Sequence, residues 1–132
     1  MKRLLSILMI IMVPVILTAG TLTITQAISD VTSAIRKGDA SAIAKMFDTS
    51  VDITILDDED SYSKSQGEQV LKQFFSSNKP SSFTIKHDGS SPGGDEFVIG
   101  DMVASGKTFR VYVLFKQSGK SPTIQELRIE KK

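Results

Sequence analysis

The hydrophobic rhythm of the chain changes several times, and each change predicts an element. Lys2 and Arg3 precede a run from Leu4 to Leu17 that is almost wholly apolar, and no charged residue follows until Asp30. Basic, apolar, then small and polar is the layout of a secretory signal. Thr25-Gln26-Ala27 offers small residues at the two positions a signal peptidase reads, so cleavage is expected after Ala27. Thr18-Ala19-Gly20 is a second site nearer the apolar run. An uncleaved anchor competes with this reading, since ~20 apolar residues suffice to span a bilayer. Pro14 and the threonines from Thr18 to Thr25 weaken such a helix.

From Ile28 the apolar residues fall at Ile28, Val31, Ala34 and Ile35, a helical period that Gly38 stops. Asp39 is placed to cap a second helix, Ala40 to Phe47, with Ile43, Met46 and Phe47 on one face. The rhythm then becomes alternating. Val51, Ile53 and Ile55 take turns with Asp52 and Thr54, predicting a strand that ends at an acidic turn, Asp57 to Asp60. Ser65 and Glu68 have capping-box spacing before Val70, Leu71, Phe74 and Phe75, so a third helix is expected over about Gln66 to Ser77, ahead of Pro80.

Beyond Pro80 the chain reads as strand. Phe83, Ile85 and His87 alternate with Thr84, Lys86 and Asp88; a turn runs from Gly89 to Asp95; Phe97, Ile99 and Val103 open the next strand. Ser105-Gly106-Lys107 predicts a hairpin into Phe109, Val111, Val113 and Phe115, and Ser118 to Ser121 turns into a last strand, Thr123 to Glu130. Helices followed by a meander of long strands predict an α+β fold, a curved antiparallel sheet wrapped around the helices. Phe83, Phe97, Phe109 and Phe115 are the residues expected to decide whether its interior is filled or hollow.

Composition narrows the class of partner. Removing residues 1–27 leaves 105 of the 132 residues, and without Lys2 and Arg3 they carry 14 basic against 15 acidic side chains. Nothing there draws the domain toward nucleic acid or anionic lipid, and once the signal is removed no membrane segment is expected. With no cysteine, a lipoprotein anchor is not indicated and packing alone must stabilise the domain. The expected compartment is periplasmic or secreted.

Five ordered blocks, KGDASAIAKMF (Lys37 to Phe47), YSKSQGEQVLKQFF (Tyr62 to Phe75), SFTIKHDGSS (Ser82 to Ser91), FRVYVLFK (Phe109 to Lys116) and IQELRIEKK (Ile124 to Lys132), resemble a family of exported bacterial proteins of unknown function typical of Bacteroidetes. The resemblance implies the cone-shaped nuclear-transport-factor-2-like (cystatin-like) fold. That superfamily holds enzymes such as ketosteroid isomerase and scytalone dehydratase beside members that only bind ligands or proteins, so the fold implies no activity.

Candidate chemistry is sparse. His87, the only histidine, is the natural general base near neutrality, yet alternation puts it at the end of the buried face with Phe83 and Ile85, where a hydrogen-bonded structural histidine is expected. Arg110 and Tyr112 share one strand face, and Glu126, Arg128 and Glu130 another. Paired across the last turn, they form either a recognition surface for an anionic group or partner, or an ion-pair ladder worth about 0–1 kcal/mol per pair. Tyr62 is placed either to close the mouth of a pocket or to pack over the start of the third helix. Asp57 to Asp60 lacks the ligand alternation and glycine of a calcium loop, and no Gly-x-Ser-x-Gly, His-Glu-x-x-His or cysteine cluster occurs. No catalytic residue, metal or cofactor is assigned. Tyr62, His87, Arg110, Tyr112, Glu126 and Arg128 are the candidate ligand-binding residues. The expected role is a non-enzymatic module that binds a small molecule or a protein. A small-molecule isomerase or dehydratase, and a homodimer through the sheet, are the alternatives.

Overall fold

A computed structural model of the chain describes residues 23–119 and 121–132, so the expected export signal, apart from its last five residues, lies outside the described part. The first helix, α1 (Ile24–Lys37), begins four residues before the expected Ile28. The Thr23 hydroxyl accepts the Gln26 N–H at 3.2 Å, and Ile24 and Ala27 carry the helical period backwards, with Ala27 fully buried. At its far end Gly38 takes a left-handed φ of 64°, and the N–H groups of Gly38 and Asp39 close on the carbonyls of Ile35 and Ala34.

The Asp39 carboxylate accepts the Ala42 N–H at 3.0 Å and so caps α2 (Ala40–Lys45). This helix stops short of the expected Phe47. The Met46 carbonyl instead accepts the Ile124 N–H, and β1 (Phe47–Ile55) starts there, drawn out by a partner almost eighty residues away. The acidic segment also differs from the expected turn. Only Leu56 and Asp57 turn; β2 (Asp58–Ser63) then runs back along β1 as an exposed edge strand. Consecutive charges on an edge discourage pairing with another chain. Helix α3 (Lys64–Ser77) is capped by Ser63, not Ser65: the Ser63 hydroxyl accepts the Gln66 N–H at 3.3 Å, and the Gln66 side-chain oxygen accepts the Ser63 N–H at 3.2 Å.

Strands β3 (Pro80–Ser90), β4 (Glu96–Ala104), β5 (Lys107–Ser118) and β6 (Ser121–Lys131) follow as an antiparallel meander. The six strands form one curved sheet in the order β2-β1-β6-β5-β4-β3, antiparallel except where β1 meets β6. Its inner face carries Val51, Ile53, Val98, Met102, Val111, Val113, Leu127 and Ile129, all buried in one cluster with the apolar residues of the three helices. The architecture is the expected α+β cradle.

Its interior is occupied. Phe83, Phe109 and Phe115 are 2%, 3% and 0% exposed, and Phe109 meets Phe74 edge to face with ring centres 5.5 Å apart. The Phe83 ring lies so close over Gly100 that a Cβ there would come within 2.5 Å of two ring carbons. Phe97 does not join them. In β4 the buried positions are Val98, Gly100, Met102 and Ala104, which turns Phe97, Ile99 and Val103 to the outer face.

Candidate functional site

The outer face of the β3–β6 meander gathers most of the candidate residues, and a bulge explains one that alternation misplaces. Along β3, Phe83 stands opposite Met102 and Ile85 opposite Gly100, both inner positions. The register then shifts between Ile85 and His87, leaving Lys86 as the extra residue. His87 consequently faces Ile99 on the outside and is exposed, not seated at the end of the buried face with Phe83 and Ile85. No local pattern marks such an insertion, because both phases keep a plausible mixture of apolar and polar residues.

From His87 a band of side chains crosses the sheet. Its ring centre is 5.6 Å from that of Phe97, which stacks with Tyr112 at 6.2 Å. The Arg128 guanidinium carbon sits 5.4 Å from the centre of the Tyr112 ring, a cation–π contact. Arg128 Nε also donates to the Glu126 carboxylate. The ladder fixes this set: Ile99 lies opposite Tyr112, Phe97 opposite Leu114, Tyr112 opposite Arg128, Leu114 opposite Glu126 and Arg110 opposite Glu130. Phe97, Ile99, Tyr112 and Leu114 are all half-buried, although no helix among the described residues covers this face.

The electrostatics are locally balanced. Burial pushes the Tyr112 phenol above its ordinary value, and the Glu126 carboxylate adds to that effect. The hydrogen bond to Glu126 raises Arg128, so the guanidinium stays charged. At the rim, Lys132 donates to Asp101 at 2.5 Å and holds that carboxyl below its usual range.

Tyr62 belongs elsewhere. It lies opposite Val51, on the inner side of the sheet, where it lines a groove of about 310 Å³ with Ile55, Asp58, Val70, Gln73 and Phe74. The groove is at the open margin between β2 and α3, so Tyr62 does not meet the other five candidates. Among the described residues no three His, Cys, Asp or Glu side chains come together as metal ligands, and no helix is long and apolar enough to cross a membrane. Phe97, Ile99 and Leu114 are the members of the band that the candidate set lacks. A strand apolar on both faces, as β4 is, signals such a surface without revealing which side it covers.

The cradle of helices under a bent sheet gives the chain the nuclear-transport-factor-2-like class of fold. It is similar, at 13% identity and a TM-score of 0.62, to an NTF2-like protein of unknown function from Cytophaga hutchinsonii, covering 86% of this chain and 94% of that one. Within that class the chain belongs to the family described as Domain of unknown function (DUF4783), whose model matches residues 28–130. Crystal structures of DUF4783 family proteins agree with the fold. One from Bacteroides fragilis is 28% identical, with a TM-score of 0.73 over 78% of this chain and 96% of that chain. Another, from Bacteroides uniformis, is 28% identical, with a TM-score of 0.74 over 79% and 95%. No curated protein matches the chain.

Proposed function

We propose that this domain is a non-enzymatic protein-interaction module, exported to the periplasm or cell surface, whose outer sheet face docks a second copy of the chain. The observation that carries this reading is the half-buried apolar band of Phe97, Ile99, Tyr112 and Leu114 on a face that no helix among the described residues covers. Aromatic residues framed by charges are the composition of an interface centre and rim. The framing charges favour a like partner: Arg128 is already paired with Glu126 and Lys132 with Asp101, so two copies meeting about a two-fold axis present little uncompensated charge.

The isomerase or dehydratase alternative requires His87 and a carboxylate facing one cavity, and His87 faces away from the cradle. Small-ligand binding keeps one support, the groove beneath Tyr62. Leu114→Lys separates these readings because Leu114 lies on the outer face and leaves the core untouched. Sedimentation equilibrium should give a two-subunit mass for the wild type and one subunit for Leu114→Lys. A wild type that stays at one subunit into the millimolar range, or a dimer indifferent to Leu114→Lys, refutes the proposal.

A further inference from the structure

The two sites a signal peptidase is able to read differ by seven residues, and the fold distinguishes them. Helix α1 uses what lies between. Thr23 supplies the cap, its carbonyl accepts the Ala27 N–H at 2.9 Å in the first helical bond, and Ile24 packs against the core. Ala27, the residue at the expected cut, is fully buried in that core. On the export reading the chain is cut before the domain folds, so accessibility in the folded domain does not decide where it is cut. What the fold distinguishes is the product that each cut leaves. Cleavage after Ala27 removes the cap, the buried methyl group and Ile24 together. It also puts a new α-ammonium on Ile28, at a helix N-terminus whose dipole is already positive. Cleavage after Gly20 leaves all of α1 intact, with the ammonium on Thr21, ahead of the cap. Gly20 and Thr18 are also small enough for the peptidase positions, and they follow the apolar run directly.

We infer that the chain is processed after Gly20, so that the exported domain begins at Thr21 and keeps its complete first helix. The inference rests on the export reading, and one experiment separates the two. The full chain is expressed in a Gram-negative host, recovered from the periplasmic and membrane fractions, and its intact mass measured. A species lacking residues 1–20 is expected. A species beginning at Ile28 overturns the inference and leaves export standing, whereas only full-length chain overturns both. Gly20→Gln, which puts a large side chain where a small one is needed and precedes α1 in the chain, should abolish the Thr21 species and accumulate unprocessed chain. Persistence of normal processing in this variant also overturns the inference.

Discussion

Replacing Gly100 by alanine forces an atom against the Phe83 ring inside the cradle. The new Cβ would lie 2.5 Å from two carbons of the Phe83 ring and 2.8 Å from the Thr84 carbonyl oxygen. Neither neighbour yields easily. The ring is 2% exposed, and the carbonyl belongs to β3, whose Ile85 stands directly opposite Gly100 in the ladder. Overpacking of a dense core costs about 1–3 kcal/mol, and a double contact with ring and backbone argues for the upper end, about 3 kcal/mol. For a domain of this size, with a total stability of order 5–15 kcal/mol, that corresponds to a melting midpoint lower by roughly 12–24 °C. Urea and thermal unfolding of the purified wild type and Gly100→Ala measure the loss. Adding Phe83→Leu to Gly100→Ala should recover part of it, since the two positions share one contact. A Gly100→Ala protein within about 0.5 kcal/mol of wild type would mean that the Phe83 ring has room to move and that the interior is hollow.

Further outcomes follow from single contacts. Ser63→Ala removes the cap of α3 and should cost about 1 kcal/mol in urea unfolding, whereas Ser65→Ala should cost far less. Leu56 sits at φ 58° and is 37% exposed, so Leu56→Asn, which tolerates that conformation, should gain about 0.5–1 kcal/mol by the same assay. Tyr112, its phenol raised by burial, should ionise above the ordinary range in a spectrophotometric titration, and Tyr112→Phe should remove that late change. A raised folded value means that this contribution to stability is present below the unfolded phenol value and lost as pH rises through the folded one. Asp101 has the opposite sign: Lys132 lowers its carboxyl, so the contribution is present above the unfolded value and lost as pH falls through the folded one. Lys132→Ala should therefore raise the Asp101 midpoint in an NMR titration.

The elements governed by local rhythm were legible in the chain, and those governed by distant pairing were not. The 3.6-residue period of Val31, Ala34 and Ile35, and of Val70, Leu71, Phe74 and Phe75, found α1 and α3 because a helix satisfies its own backbone. The clean alternation of Phe109, Val111, Val113 and Phe115 found β5 because only one face of it is strongly apolar. Strand β2 has no local signature, since an edge strand of Asp58, Glu59, Asp60 and Ser61 carries no apolar alternation and exists only through its ladder with β1. The sequence does not show which face Phe97 takes, because β4 is apolar on both faces and Gly100 occupies a buried slot without an apolar side chain to mark the phase. His87 was turned around by a bulge that inserts one residue without any compositional trace. Of the candidate band, Arg110, Tyr112, Glu126 and Arg128 could be placed on facing positions from the hairpin alone, whereas its aromatic continuation through Phe97 depended on the register of two further strands.

Methyl NMR of the protein, recorded from micromolar to millimolar concentration, compares the two faces of the sheet within one sample. The methyl signals of Ile99 and Leu114 on the outer face should shift as copies associate, while those of Val98 and Val113, directly behind them in the filled interior, stay fixed. Shifts confined to Ile55 and Val70 beside the Tyr62 groove, or no shift at any concentration, would contradict an outer working surface on a solid cradle.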